Sequence, residues 1–141
     1  MTDFRLTGEG VVASDWIDEN DHVNMMWYTH LVDSGTADLM RLIGMDQESA
    51  QVSYVAARLA TAYRRELRLG DAWKTWSAIL GATDRSIICA HRIMSGKAIA
   101  ARSDVTIVLF DRASRQSVAL PERVKASAEA ARLGVAESTG T

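Results

Sequence analysis

From Met25 to Ile43 the apolar positions Met26, Tyr28, Leu31, Val32, Leu39, Met40 and Ile43 recur at near-helical spacing, and this one stretch constrains the fold most. Asn24 in front of it is a suitable N-cap, and Gly44 behind it a suitable stop. Gly35 and Thr36 lower helix propensity inside the stretch but permit close packing. Beyond the helix the chain reads as strand, in four runs at 54–67, 72–82, 86–95 and 98–111. Their separators, Gly70-Asp71, Asp84-Arg85, Ser95-Gly96-Lys97 and Asp111-Arg112, are turn formers, so the last three runs are expected to form an antiparallel meander.

Ahead of the helix, residues 4 to 13 alternate loosely through Phe4, Leu6 and Val11-Val12, with Gly8 and Gly10 allowing a bend or bulge, which predicts a first strand. In the run from Trp73, both alternating sets carry apolar residues, as expected if one sheet face takes the helix and the other a partner subunit. After Pro121, the only proline, Glu122 to Leu133 is Ala-rich and charged with Gly134 as a stop, which predicts a short surface helix and a flexible Ser-Thr-Gly-Thr end. The expected class is therefore α+β: a long helix wrapped by a curved antiparallel sheet of about five strands over residues 1–121, with the helix and tail over 122–141. A chain of 141 residues suits one such core.

Several function classes are disfavoured. Net charge is −2 with acidic and basic residues intermixed, so no electrostatic footprint for nucleic acid is present. Cys89 is the single cysteine and lies in the apolar run Ile87-Ile88-Cys89-Ala90, which predicts a buried inert thiol. No apolar window approaches the roughly 20 residues of a membrane span, and the first residues lack a signal-like stretch, so a soluble protein of the cytoplasm is expected. His30 and His91 sit within a helix and a strand as packing or surface residues, and no Cys/His pair has metal-ligand spacing, so neither metal nor cofactor is expected.

The remaining segment is polar: Asp18-Glu19-Asn20-Asp21-His22-Val23-Asn24, too rich in Asp and Asn for the interior of a regular element. Taken alone it is a loop with an N-cap. It also resembles the Asp-x-Asn-x-His-x-Asn signature of acyl thioesterases with a hotdog fold, in which a tyrosine stands four residues after the last Asn; Tyr28 occupies that place. Tyr63-Arg64-Arg65-Glu66 followed by Gly70-Asp71 looks like the start of that family's first meander strand, and the resemblance spans about residues 8 to 120.

The resemblance implies hydrolysis of an acyl-CoA thioester. Asp18 matches the catalytic carboxylate, which either attacks the thioester carbon or activates a water; the sequence leaves both routes open. His22 would exchange a proton near neutral pH and Asn20 would orient water or the thioester. Helix N-terminal amides, at Met25 by position and also at Met26, would polarise the carbonyl. The sequence departs from the pattern in two places. Leu67 stands where acyl-carrier-protein thioesterases have a cysteine, so a cysteine-dependent mechanism is unsupported. Asp21 stands where many relatives have glycine, and it either tunes Asp18 as a second carboxylate or caps the turn.

Substrate contacts are expected from Trp16, Trp27 and Tyr28 beside the loop and from Arg64 and Arg65; with Arg68, Arg85, Arg92 and Arg102 these arginines have guanidinium forks that suit CoA phosphates at a tunnel mouth, while any single one reads more readily as a solvated strand-face charge. The string Trp-Ile-Asp-x-Asn-x-His-x-Asn is similar to thioesterases of carnitine and betaine breakdown, and aromatic faces attract quaternary ammonium groups; the same rings equally suit core or interface packing. By the resemblance, active sites lie between subunits of a homodimer or homotetramer. Two other readings keep the fold: a non-catalytic hotdog that binds an acyl-CoA or aromatic ligand, and a hotdog dehydratase, whose different local pattern is not seen here.

Overall fold

The computed structural model describes residues 3–45 and 51–132. Strand β1 covers Arg5–Val11, a short 3-10 turn Ser14–Trp16, and helix α1 Met25–Leu42. Strands β2 (Val52–Tyr63), β3 (Ala72–Ala82), β4 (Ser86–Ser95), β5 (Ala98–Asp111) and β6 (Gln116–Val118) come next, then helix α2 (Glu122–Ala131). The strands form one antiparallel sheet ordered β1-β3-β4-β5-β2, with β6 added to β5. Register shifts in the β1–β3, β2–β5, β3–β4 and β4–β5 pairs bend this sheet around α1.

Local chemistry accounts for the helix bounds. Asn24 Oδ1 accepts the Met26 amide at 2.9 Å, and Gly44 (φ +83°) takes the left-handed conformation that ends the helix cheaply. The apolar stripe of α1 turns inward, burying Tyr28, Leu31, Val32, Leu39 and Met40 against Ile79, Ile87, Val105 and Ile107 of the sheet. Gly35 lets the helix approach closely: a Cβ there would lie 2.7 Å from Ser77 Oγ and 2.9 Å from His91 Nδ1. Cys89 is fully buried, and burial pushes its thiol up to about 12.

The structure departs from expectation in three places. β2 ends at Tyr63 rather than Leu67, because the Arg64 and Arg65 amides both go to the Ala100 carbonyl and the chain then leaves the sheet. The segment from Tyr63 to Asp71 is thus the end of β2 and its crossover to β3, not the start of a meander strand; the meander itself, β3-β4-β5, is present. A sixth strand, β6, joins through a turn in which Arg115 has φ +63°. Finally, α2 does more than cover the surface: its Val124 and Ala128 are fully buried in the same core as α1. The expectations for Gly134 and the chain end, and part of the stretch after Met45, fall outside the described residues.

On the sheet face away from α1, Trp76 and Ala78 of β3 meet Phe4 and Ala90 in a small separate apolar cluster. Among the described residues no helix is long and apolar enough to cross a membrane.

Candidate active site

The loop before α1 is a tiny hairpin. Ile17 and Val23 form an antiparallel bridge, the Asp18 amide donates to the His22 carbonyl at 3.2 Å, and the Asp21 amide returns to the Asp18 carbonyl at 3.1 Å. Asp21 closes that turn at φ +63°, a conformation open to Asp, Asn and Gly and costly for most other residues. This backbone requirement accounts for an aspartate standing where glycine is common, and it places Asp21 on the exposed side of the turn.

The hairpin holds Asp18 through its own neighbours. Oδ1 accepts the Asn20 amide at 2.9 Å, and Oδ2 faces Asn24 Nδ2 at 3.5 Å. Asn24 therefore links the carboxylate to the helix start, since its Oδ1 caps Met26 at the same time. That cap uses the Met26 amide, and the Trp27 amide goes to the Asn24 carbonyl at 3.0 Å. Of the first helical amides considered for polarising a carbonyl, Met26 is thus engaged, whereas the Met25 N–H has no acceptor among the described residues.

Asp18, His22 and Met25 line one cavity of about 480 Å³ with Tyr28, Tyr63, Arg64 and Arg65. Tyr28 is buried, its phenol accepting the Leu67 amide at 3.0 Å, and Tyr63 packs edge-on against it at 5.2 Å. Burial raises the Tyr28 phenol above its ordinary value, partly offset by that amide. The crossover thereby brings Arg64 and Arg65 against the loop, a meeting of residues about forty positions apart in sequence. Among the described residues no group of three or more His, Cys, Asp or Glu side chains forms a metal-binding cluster.

Three residues singled out in the sequence lie outside this cavity. Asn20 is exposed on the turn. Trp16 stacks on Trp27 at 4.9 Å, nearly parallel, and also leans on Trp73 at 5.8 Å, so the rings satisfy one another beside the site.

A second cavity of about 330 Å³ lies further along α1, between that helix, β2 and β5. Val32, Leu59, Val105 and Ile107 make it apolar, and Thr29, Asp33 and Thr36, spaced four and three apart on α1, give it a polar stripe. Asp33 has no hydrogen bond or ion pair among the described residues, and it raises the Tyr54 phenol further after burial has done so. Sequence reasoning passed over Asp33 and Tyr54; the signal was a carboxylate spaced with two threonines on a helix otherwise read for its apolar face.

The same fold recurs in known proteins. A family model described as the thioesterase-like superfamily matches residues 12–127. Among curated proteins none matches the chain. A hypothetical protein of Staphylococcus aureus, solved in complex with CoA, superposes with a TM-score of 0.79 at 18% identity, over 94% of this chain and 89% of that one. A DHNA-CoA thioesterase of the same organism gives 0.74 at 12% identity, over 83% and 80%. A protein of Bacillus stearothermophilus described as a predicted thioesterase gives 0.80 at 13%, over 89% and 95%. Likeness at such identities is likeness of fold, and the arrangement of one helix over a bent antiparallel sheet is the hotdog fold expected from the sequence.

Proposed function

The chain belongs to the thioesterase-like superfamily, and from that premise we propose that it hydrolyses an acyl-CoA thioester to the free acid and CoA. The observation that carries this reading is the unengaged Met25 amide at the N-terminus of α1 in the same cavity as Asp18 and His22. A thioester carbonyl directed at that amide meets an N–H and the positive end of the helix dipole, which stabilise the oxyanion formed on attack. Asp18 supplies the carboxylate, either adding to the carbonyl carbon or taking a proton from the water that does; in both cases water adds and the CoA thiol leaves protonated. His22 is placed to exchange that proton, and Tyr28 and Tyr63 wall the site. Asn20, outside the cavity, contributes through its backbone hold on Asp18.

For the acyl group, a small cationic one of betainyl type keeps its ammonium one methylene from the reacting carbonyl, where the Tyr28 and Tyr63 rings of the same cavity offer aromatic faces to it. That CoA is bound in a Staphylococcus aureus neighbour supports the carrier assignment. β2 supports assembly as a homodimer: it is a twelve-residue strand at the sheet edge with Val55, Leu59 and Tyr63 exposed, and such an edge is suited to pairing with a second copy beside the site.

A free-thiol assay over short, long, aromatic and betainyl-CoA substrates tests this. The native chain is expected to release thiol, with betainyl-CoA preferred, and Asp18→Ala to lose about 10²–10⁴ in rate. Saturable binding without thiol release from any substrate replaces the hydrolase reading with that of a ligand-binding hotdog.

A further inference from the structure

Three cavities among the described residues set carboxylates and cations side by side. Asp18 and Glu66 share theirs with Arg64 and Arg65, Glu9 lies with Lys74, and Asp104 with Arg64 and Arg102. The cavity of about 330 Å³ between α1, β2 and β5 differs: of the described residues lining it, Asp33 alone is charged. Its helix neighbours supply no cation either. His30, three positions earlier, turns its ring edge-on to Trp27 at 5.5 Å, and Thr29, Thr36 and Ala37 are uncharged. Arg41 stands about two turns further along α1 and is held by Asp38.

This cavity offers two kinds of contact. Its floor is hydrocarbon: Val32, Val105 and Ile107 are buried there, and Leu59 of the edge strand β2 adds an exposed apolar wall. Asp33 is exposed on α1, so its carboxylate stands at the rim, where it stays hydrated while the cavity is empty. The polar groups beside it are unengaged. The Thr29 hydroxyl and the Tyr54 phenol have no hydrogen bond among the described residues, whereas the Thr36 hydroxyl is held by the Val32 carbonyl and His91. The Asp33 charge reaches across the cavity, since after burial it raises the Tyr54 phenol further. The volume falls at the small end of ligand pockets, which run from about 300 to 1,000 Å³.

We infer that this cavity binds a small alkylammonium ligand, with the hydrocarbon tail on Val32, Val105 and Ile107 and the ammonium at the rim between the Asp33 carboxylate and the Tyr54 ring. A carboxylate accepts the N–H donors of such a group, an aromatic face attracts its charge, and the tail removes water from the apolar floor. A neutral chain would cover the same floor without answering Asp33, and an anionic one would be repelled. The site goes beyond the thioesterase reading and does not depend on it. Asp33 lies eight residues beyond Met25 on α1, about 12 Å along the helix axis, so the ammonium of a betainyl group held at the reacting end belongs to the other cavity.

The test is calorimetric titration of the full chain with hexylammonium, methylammonium and 1-hexanol, in native protein, Asp33→Asn and Asp33→Glu. Hexylammonium is expected to bind saturably, and shorter amines more weakly by up to about fourfold per methylene removed, so that methylammonium shows no saturable binding. Asp33→Asn should weaken hexylammonium about tenfold, the loss of one charge-assisted contact, and leave 1-hexanol unchanged; Asp33→Glu should restore most of the affinity. Because Asp33 is exposed and without a partner among the described residues, both variants should keep the native Tm. No saturable binding of hexylammonium to the native chain, the same Kd in Asp33→Asn, or equal affinity for methylammonium overturns the site. Sedimentation separates the other occupant: if Asp33→Asn shifts the monomer–dimer equilibrium while hexylammonium fails to bind, a second copy covers the cavity and the inference falls. Thiol release from acyl-CoA bears on the thioesterase reading alone.

Discussion

Tyr28 accepts the backbone N–H of Leu67 through its phenol at 3.0 Å, so a side chain in the first turn of α1 fixes the crossover between β2 and β3. Both residues are buried, and no water can replace the oxygen cheaply. Tyr28→Phe leaves the Leu67 amide unpaired and is expected to cost about 1–3 kcal/mol in chemical denaturation. Because Arg64 and Arg65 ride on the same crossover, the KM for substrate should rise as well. A variant as stable as the native chain removes this bond from the account of the crossover.

Asn24 has two tasks that substitution can separate. Its Oδ1 caps α1 at Met26, and its Nδ2 faces Asp18 Oδ2 at 3.5 Å. Asn24→Ala loses both and should lower stability by about 1 kcal/mol as well as activity. Asn24→Asp keeps an equally good cap but replaces the donor by a like charge beside Asp18. Stability close to native with a clearly lower kcat is the expected result for Asn24→Asp; equal losses in both variants would reduce Asn24 to a cap.

These residues also mark how much of the molecule was legible in its sequence. The bounds of α1, the β3-β4-β5 meander and its turns arise from local chemistry: the Asn24 cap, the stop at Gly44 (φ +83°), and turns that place Gly70 and Gly96 at positive φ. The end of β2 at Tyr63 was not legible, because the Ala100 carbonyl on another strand sets it. Strand β6 has only three residues and owes its existence to β5. The core role of α2 rests on Val124 and Ala128 in an alanine-rich segment whose apolar stripe is weak. In the site, Asp18, His22 and Met25 could be read because they lie within one short stretch of chain. Asp33 needed the α1–β2 contact, and the mutual stacking of Trp16 and Trp27 needed Trp73, which a linear string does not bring near.

Gly35 is set against helix propensity. Alanine there would favour the helix by about 1 kcal/mol, but its Cβ would lie 2.7 Å from Ser77 Oγ, 2.9 Å from His91 Nδ1 and 3.1 Å from Thr7 Oγ1. All three atoms belong to one hydrogen-bond chain, so none can yield without breaking a bond. Gly35→Ala should therefore lower stability by about 1–3 kcal/mol in urea titration, as overpacking of a tight core does. A gain in stability would mean that α1 can shift away from the sheet at little cost.

His91 makes the stability of the whole fold depend on pH. Thr36 Oγ1 gives its proton to the Val32 carbonyl at 2.9 Å, so it must accept from His91 Nε2 at 3.0 Å, and the neutral ring then takes a proton from Ser77 Oγ at Nδ1, 2.7 Å away. Protonating Nδ1 reverses the chain through Ser77 and Thr7 towards the Thr75 carbonyl, 3.3 Å from Thr7 Oγ1; hydrogen bonds survive, and what is lost is the solvation of the charge. Burial accordingly holds the imidazole down to about 4, against an ordinary value of 6.5. The native state stays neutral where the unfolded chain binds a proton, so the contribution is complete above pH 6.5 and is lost as pH falls from there to about 4. That loss totals on the order of 3 kcal/mol, with about 2 kcal/mol gone by pH 5. Denaturant midpoints measured at about pH 7, 5 and 4 should fall accordingly, and His91→Gln, which has no proton to gain, should flatten that part of the slope whatever its own stability. If the native and His91→Gln slopes coincide across this window, the acid sensitivity belongs to the carboxylates, and His91 serves the core only as a hydrogen-bonded spacer beneath Gly35.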